Sequence, residues 1–106
     1  MKLASNEIDD KFIDIFYNYN HDEIVLKVLD LSNNLVMSNG AIRIASQLKS
    51  YLGQSLILLD LKKNKIGNTG CEGLCKSLWH NMKLIYLDLS YCELDDRSLV
   101  HISQML

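Results

Sequence analysis

The sequence lacks an excess of charge of either sign and has no basic block. It contains 11 lysines and arginines against 13 aspartates and glutamates, for a formal net charge of −2. A nucleic-acid-binding protein needs a concentrated positive surface to hold phosphates. The composition therefore argues against that class of function.

Long apolar runs are also missing. The longest strongly apolar run, Leu56 to Leu59, is far short of the roughly 20 residues that cross a bilayer. Residues 6–10 carry three carboxylates where a secretory signal needs an apolar stretch. We therefore expect no membrane contact and a cytoplasmic protein, or one delivered into a host cytosol by a route without a cleavable signal peptide.

Cysteines are few and odd in number. Cys71, Cys75 and Cys92 suit free thiols in a reducing cytosol better than a disulfide framework. Cys71 and Cys75 have only helical spacing, and no further ligands converge on them, so we expect no metal site. Nothing in the sequence calls for a cofactor.

A nine-residue pattern, L-x-x-L-x-L-x-x-[N/C], recurs three times. It begins at Leu26, Leu56 and Leu84, so consecutive units start 30 and 28 residues apart. Each copy is followed by apolar residues at helical spacing, which predicts a strand, a turn and an amphipathic helix in every unit. The inward helix positions are Ala41, Ile44, Ala45 and Leu48, then Cys71, Leu74, Cys75 and Leu78, then Leu99, Ile102, Ser103 and Leu106.

This pattern resembles the ribonuclease-inhibitor type of leucine-rich repeat. The resemblance implies an α/β fold, a right-handed solenoid with a parallel sheet on its concave side and helices on its convex side. Three strand–helix repeats would span residues 26–55, 56–83 and 84–106, in one domain with an N-terminal cap at residues 1–25. The leucines of one unit cannot be buried by that unit alone, so neighbouring units must stack.

The ninth position of each unit should satisfy backbone groups where the chain leaves the strand. The amides of Asn34 and Asn64 can donate and accept hydrogen bonds there. Cys92 takes this position in the third unit, and cysteine is the usual substitute in the repeats that the pattern resembles. We interpret Cys92 as a structural residue, with a reactive thiol as the alternative.

The two terminal faces of a solenoid are apolar unless they are capped, so we expect the ends of the stack to differ from its middle. We predict a capping helix over residues 6–18, with Ser5 or Asn6 as its N-cap. A membrane-surface helix is the alternative, although its polar side carries acids. At the other end, the strand from Leu84 to Leu89 is expected to be a free edge: a second contact site, a dimer seam, or the result of truncation.

Side chains between the strand leucines should point onto the concave surface. An apolar and aromatic cluster on that face has no role in folding and predicts an interaction site. A column of aspartates beside it favours a partner with Lys or Arg, unless those carboxylates are merely solvated. The candidate partner-binding residues are Lys27, Val28, Asp30, Ile57, Leu58, Asp60, Lys62, Ile85, Tyr86, Asp88 and Tyr91.

Trp79 follows the second predicted helix. We expect its ring to be mostly buried over a gap between that helix and the next strand, as large aromatic side chains usually are. Contact with a partner is the alternative.

These observations favour a non-catalytic module that binds another protein through its concave face. The resemblance to ribonuclease-inhibitor repeats suggests that the partner is an enzyme, which is inhibited or regulated. The alternative is an adaptor, a scaffold or a self-associating repeat, as a monomer or a weak dimer through the C-terminal edge. The chain also looks like the short effectors that intracellular bacteria deliver to act on host proteins.

A catalytic alternative would combine Cys92 or Cys75 with His80 or His101 and one of the concave aspartates, because a thiol nucleophile needs an activating base. Both cysteines occupy inward positions of the repeat, and His101 lies on a helix away from the strands. The sequence therefore predicts that the protein is not an enzyme.

Overall fold

The computed structural model describes residues 1–19, 26–49, 55–79 and 83–105. Strands and helices alternate along these residues, as the repeat predicts. His80 and Leu106, which entered the sequence predictions, lie outside the described residues. The elements are α1 Asp10–Tyr19, β1 Val28–Asp30, α2 Ser38–Leu48, β2 Leu58–Asp60, α3 Gly67–Leu78, β3 Tyr86–Asp88 and α4 Asp96–Met105.

The three strands form one parallel sheet in the order β1-β2-β3. Leu29 pairs with Leu59, and Leu59 with Leu87, so the strand residues align in the register of the repeat. Hydrogen bonds continue beyond the strands: the N–H groups of Leu31 and Leu61 each donate to the neighbouring unit over 2.9 Å. The predicted stacking of consecutive units is therefore present.

The core lies between this sheet and the helices. Leu29, Leu31, Leu59 and Leu61 are at most 2% exposed, because alternate residues of each strand face the helices. The inward positions predicted for α2 and α3 are all buried. No helix in the described part of the chain is both long enough and apolar enough to span a membrane.

The prediction of inward positions is wrong for two residues of the last helix, while Ile102 is partly buried as expected. Leu99 of α4 is 60% exposed, and Ser103 is exposed as well. The corresponding residues of α2 and α3 are covered by the following unit, and in the described structure no unit follows α4.

Buried side-chain amides connect the units where the chain leaves each strand. Asn64 donates to Leu31 O of the preceding unit over 2.8 Å and to Leu61 O of its own unit over 3.0 Å. Its Oδ1 accepts the N–H of Val36 at 3.0 Å. A buried backbone group without a partner is costly, so one amide stabilises the turns of two units at once.

Cys92 replaces this amide in the third unit. It is 1% exposed, and its thiol donates to Leu61 O over 3.0 Å, as Asn64 does to Leu31 O. Burial raises the pKa of the Cys92 thiol. The structural interpretation of Cys92 is thus supported by its position, while a thiol offers no strong acceptor to match the asparagine oxygen.

The N-terminal segment departs from the prediction. The helix expected over residues 6–18 begins at Asp10, and its N-cap is Asp9, whose Oδ1 accepts the N–H of Phe12 at 3.0 Å. Ser5 and Asn6 are not caps. They lie in a turn beside the end of β1, where the N–H of Ser5 donates to Ser32 O and the N–H of Asn6 donates to Asn34 Oδ1.

Residues 1–6 follow the geometry of the repeat. The N–H groups of Leu3 and Ser5 donate to Asp30 O and Ser32 O, and Lys2 forms a parallel bridge with Asp30. These bonds match those that Leu31 makes to the next unit. Residues 1–19 therefore correspond to a repeat unit that lacks its first three positions. Met1 takes the place of Leu29, and Asn6 takes the place of Asn34 and Asn64.

Trp79 also differs from the prediction. Its side chain is 55% exposed and lies at a shallow pocket with Lys76 and Gln104. The pocket between α3 and α4 is too open to enclose an indole ring, so Trp79 does not fill a gap in the core.

Replacing the buried amide tests the connection between the units. We expect Asn64→Ala to lower the free energy of unfolding by about 2 to 3 kcal/mol, because Leu31 O and the N–H of Val36 lose a buried partner. Urea unfolding followed by circular dichroism measures the change. Asn39→Ala, the same substitution at an exposed position of α2, is the control. Equal effects of the two substitutions would show that the amide does not connect the units.

Candidate functional site

The candidate site is the surface of the sheet that faces away from the helices, which we call the strand face. It is formed by side chains on either side of the buried strand leucines and by the residues directly after each strand. Val28, Leu58 and the three strand aspartates are partly exposed there, whereas Lys27 is exposed. The structure therefore brings the sequence-predicted residues to one surface.

Apolar and aromatic residues are concentrated on the β2–β3 side of the strand face. Leu58 pairs directly with Tyr86 in the sheet. Ile57 is 39% exposed, Tyr86 49%, Tyr91 77% and Ile85 84%. We call these five residues the strand-face patch. The β1 side carries Lys27, Asp30 and one apolar residue, Val28, so the large exposed apolar side chains are concentrated at β2 and β3.

The three strand aspartates also stabilise the local backbone. The sequence analysis predicted that they either bind Lys or Arg of a partner or are merely solvated, and it did not predict this role. Oδ1 of Asp30, Asp60 and Asp88 accepts the backbone N–H two residues further on, at 3.0, 3.0 and 2.9 Å. This is the geometry of an Asx turn, which ends the strand. The sequence signal is an aspartate at the last strand position of each unit. Oδ2 of Asp30 and Asp60 still remains for a partner.

Tyr86 and Asp88 form a polar contact within the strand-face patch. The phenol donates to Oδ2 of Asp88 over 3.3 Å. The negative charge of Asp88 raises the pKa of Tyr86, and hydrogen bonds from Ser90 lower the pKa of Asp88. Tyr86 therefore stays a neutral donor beside a charged carboxylate near neutral pH.

Tyr91 adopts a backbone conformation that is unfavourable for a bulky residue. Its φ is +55°, in the left-handed region. Ser5, Asn33 and Lys63 occupy the same repeat position with φ of 59°, 53° and 59°, so the turn requires this conformation whatever the residue. Asparagine adopts it readily and tyrosine does not. The exposed ring of Tyr91 is therefore presented at some cost in stability.

The cysteine and histidine pair of the catalytic alternative lies away from the strand face. Cys75 and His101 line the shallow, open pocket between α3 and α4, together with Lys76 and Trp79. A hydrogen bond between the two thiols raises the pKa of Cys75 and lowers that of Cys71 to about 7. The thiol beside His101 is therefore protonated, and Cys71 is 0% exposed.

Metal binding is not supported by the described geometry. Cys71 Sγ and Cys75 Sγ lie 3.9 Å apart. Within the described part of the chain, no group of three or more His, Cys, Asp or Glu side chains could hold an ion.

A comparison with protein families identifies the repeating unit. Residues 54–75 and 80–103 match the family model described as leucine rich repeat, and the sheet places these segments in consecutive, stacked units. The chain contains leucine-rich repeats. No curated protein gives a match to the sequence. Leucine-rich repeats are in general protein–protein interaction modules, and the family is generally non-catalytic.

Replacement of Tyr91 tests the strain at this leucine-rich-repeat turn. We expect Tyr91→Asn to raise the free energy of unfolding by about 1 kcal/mol, because asparagine tolerates a positive φ. The reverse exchange at the same repeat position, Asn33→Tyr, should lower it. Thermal or urea unfolding of both variants gives the comparison. A loss of stability in Tyr91→Asn would mean that packing of the ring outweighs the backbone strain.

Proposed function

We propose that this protein is a non-catalytic binding module whose strand face docks on one specific partner protein. The main support for this proposal is the strand-face patch, in which isoleucine and tyrosine side chains are exposed on a surface where folding requires no apolar residue. Exposed apolar clusters of this kind mark interaction sites. Tyrosines in particular contribute strongly to interface energies.

The strained turn at Tyr91 supports the same proposal. The turn imposes a positive φ at this position of every unit, and in the third unit it holds a bulky, exposed tyrosine for which that conformation is unfavourable. Asn33 shows that a favourable residue is available for this repeat position. The ring of Tyr91 is thus more useful to binding than to folding.

The partner would cover more than the three strands. Neighbouring strands are ~4.8 Å apart, so three of them form a narrow surface compared with the ~800 Å² per partner of a standard interface. The turn residues Lys62, Lys63 and Tyr91 border the strand face and would extend the contact. Free carboxylate oxygens of Asp60 and Asp30 would accept Lys or Arg from the partner.

We further propose that the partner is an enzyme whose active site is occluded. The resemblance of the repeat to the ribonuclease-inhibitor type supports this assignment. An adaptor that binds the same partner without affecting its turnover is the alternative.

Substitutions in the strand-face patch test the proposal. Ile57→Asp and Tyr86→Ala should each weaken partner binding by more than about 1 kcal/mol, as expected for central interface residues. Both side chains are partly exposed, so the fold should persist. Isothermal titration calorimetry with the partner isolated from the native host measures the affinities.

The matched control is Ile15→Asp on α1, where the isoleucine is 57% exposed but lies far from β2 and β3. It should bind like the unchanged protein. Unchanged affinity in both patch variants would move the binding site away from the strand face. If binding depends on the patch but leaves an enzyme partner's turnover unchanged, the protein is an adaptor and not an inhibitor.

A further inference from the structure

The strand face carries a row of three carboxylates that the chain itself does not neutralise. Asp30, Asp60 and Asp88 are paired in register across β1, β2 and β3, so these residues are one strand spacing, ~4.8 Å, apart. Among the described residues, none of the three forms a salt bridge with a lysine or arginine. Like charges at this spacing repel one another, and the row therefore lowers the stability of the sheet.

Folding does not require these charges. Each aspartate ends its strand by accepting a backbone N–H through Oδ1. The amide oxygen of an asparagine makes the same Asx turn, so a row of asparagines would keep the three turns without the repulsion. The negative charge of the row is a property of the strand face that binding can use and folding does not.

The aspartates at both ends of the row have compensating neighbours. Oδ2 of Asp88 accepts the phenol of Tyr86. Asp30 accepts the hydroxyl of Ser32 over 2.7 Å, and Lys2 forms a parallel bridge with Asp30 at the edge of the sheet. The negative charge is therefore least compensated at the centre of the row.

Asp60 occupies that centre, with a carboxylate on each side. Its one described hydrogen bond comes from the backbone N–H of Lys62. Asp88 raises the pKa of Tyr86 most strongly and Asp60 adds to the effect, which places the phenol within electrostatic range of both carboxylates. Leu58 precedes Asp60 by two residues on the same face, ~6.6 Å away. A cation bound at Asp60 would thus lie beside an aromatic ring and an aliphatic side chain.

A guanidinium group fits these surroundings better than an ammonium group or a metal ion. Its planar fork donates hydrogen bonds on two sides and stacks on aromatic rings, whereas an ammonium is a point charge. Carboxylates on neighbouring strands, such as Asp30 and Asp60, are close enough for one guanidinium to bond both. In the described part of the chain, no group of three or more potential ligand side chains could hold a metal ion.

We propose that the strand face binds a segment of the partner in which an arginine is flanked by apolar side chains, with the guanidinium bridging Asp30 and Asp60 beside Tyr86. The apolar side chains would cover the strand-face patch. Asp60 and the patch are ~5 to 7 Å apart, the separation of side chains two residues apart in an extended segment. This inference rests on the proposed function, because it specifies the partner's chemistry at the same surface.

Short peptides test the preference for arginine. The probe is the acetylated peptide amide Leu-Thr-Arg-Thr-Leu, in which alternate residues share one side, and the matched peptides carry lysine or glutamate in place of arginine. In ¹H–¹⁵N NMR titrations, the arginine peptide should shift the backbone N–H signals of Asp60, Leu61 and Tyr86. Its dissociation constant should be at least ~5-fold below that of the lysine peptide, and the glutamate peptide should cause no shifts.

Two results of these titrations would overturn the proposal. One is equal affinity for the arginine and lysine peptides, which would mean that only charge is recognised. The other is the absence of a saturable shift with the arginine peptide at millimolar concentration, including the case in which calcium or magnesium chloride shifts the same signals instead.

Asp60→Asn separates the charge from the turn, because the asparagine oxygen keeps the Asx turn. We expect it to weaken binding of the arginine peptide at least ~5-fold, yet to raise the melting temperature at low salt. The rise should vanish in ~1 M NaCl, where exposed charges are screened. Asp96→Asn, the same change at an exposed position of α4, should leave the peptide affinity unchanged. Unchanged affinity or a lower melting temperature in Asp60→Asn would contradict the proposal.

The same variant distinguishes this inference from the proposed function. If Ile57→Asp and Tyr86→Ala weaken binding of the native partner but Asp60→Asn does not, the strand face is the docking surface and the arginine contact is wrong. If all three variants bind the partner like the unchanged protein, the proposed function itself fails. Weaker binding in all three supports both.

Discussion

The buried side-chain amide that follows each of the first two strands is the contact on which the rest of the structure depends. Asn34 accepts the N–H groups of Asn6 and Ile8 and donates to Leu3 O. Asn64 likewise accepts the N–H of Val36 and donates to Leu31 O of the preceding unit. Leucine burial holds the units together without fixing their orientation, because the hydrophobic effect is not directional. The amides supply the direction, and the strands come into register.

Register in turn determines which side chains can serve binding. Once Leu29, Leu59 and Leu87 face the helices, the residues beside them must face outward. Aspartates at the last strand position end each strand with an Asx turn, and the next residues enter the left-handed turn that holds Tyr91. Folding thus uses the leucines, the amides and one oxygen of each aspartate. Ile57, Ile85 and both tyrosines of the patch remain for other contacts.

Much of this arrangement could be predicted because three consecutive units repeat the same constraints. The strand positions, the helices and the structural role of Cys92 in place of asparagine follow from the spacing of leucines and asparagines. The prediction was wrong where the constraints were incomplete. Residues 1–6 carry Met1, Leu3 and Asn6 at repeat positions, but only part of the pattern is present, and the acidic residues after them favoured a longer helix.

The ends and the conformation of single residues were harder to predict. Leu99 has the helical spacing of a core residue, and only the lack of a described neighbouring unit exposes it. Trp79 is apolar enough for burial, yet the space between α3 and α4 is too shallow for it. The positive φ of Tyr91 becomes visible in the sequence only through Asn33 at the same repeat position. Whether the outward residues bind a protein depends on the partner, which the chain's own packing does not specify.

Exchange of the side-chain amide hydrogens tests the central claim most directly, namely that the buried amides fix the units and with them the strand face. In native-state NMR, the Nδ2 hydrogens of Asn34 and Asn64 should exchange only through global unfolding, with the same free energy as the backbone N–H of Leu59. Exchange as fast as that of the exposed amide of Asn39 would contradict the account.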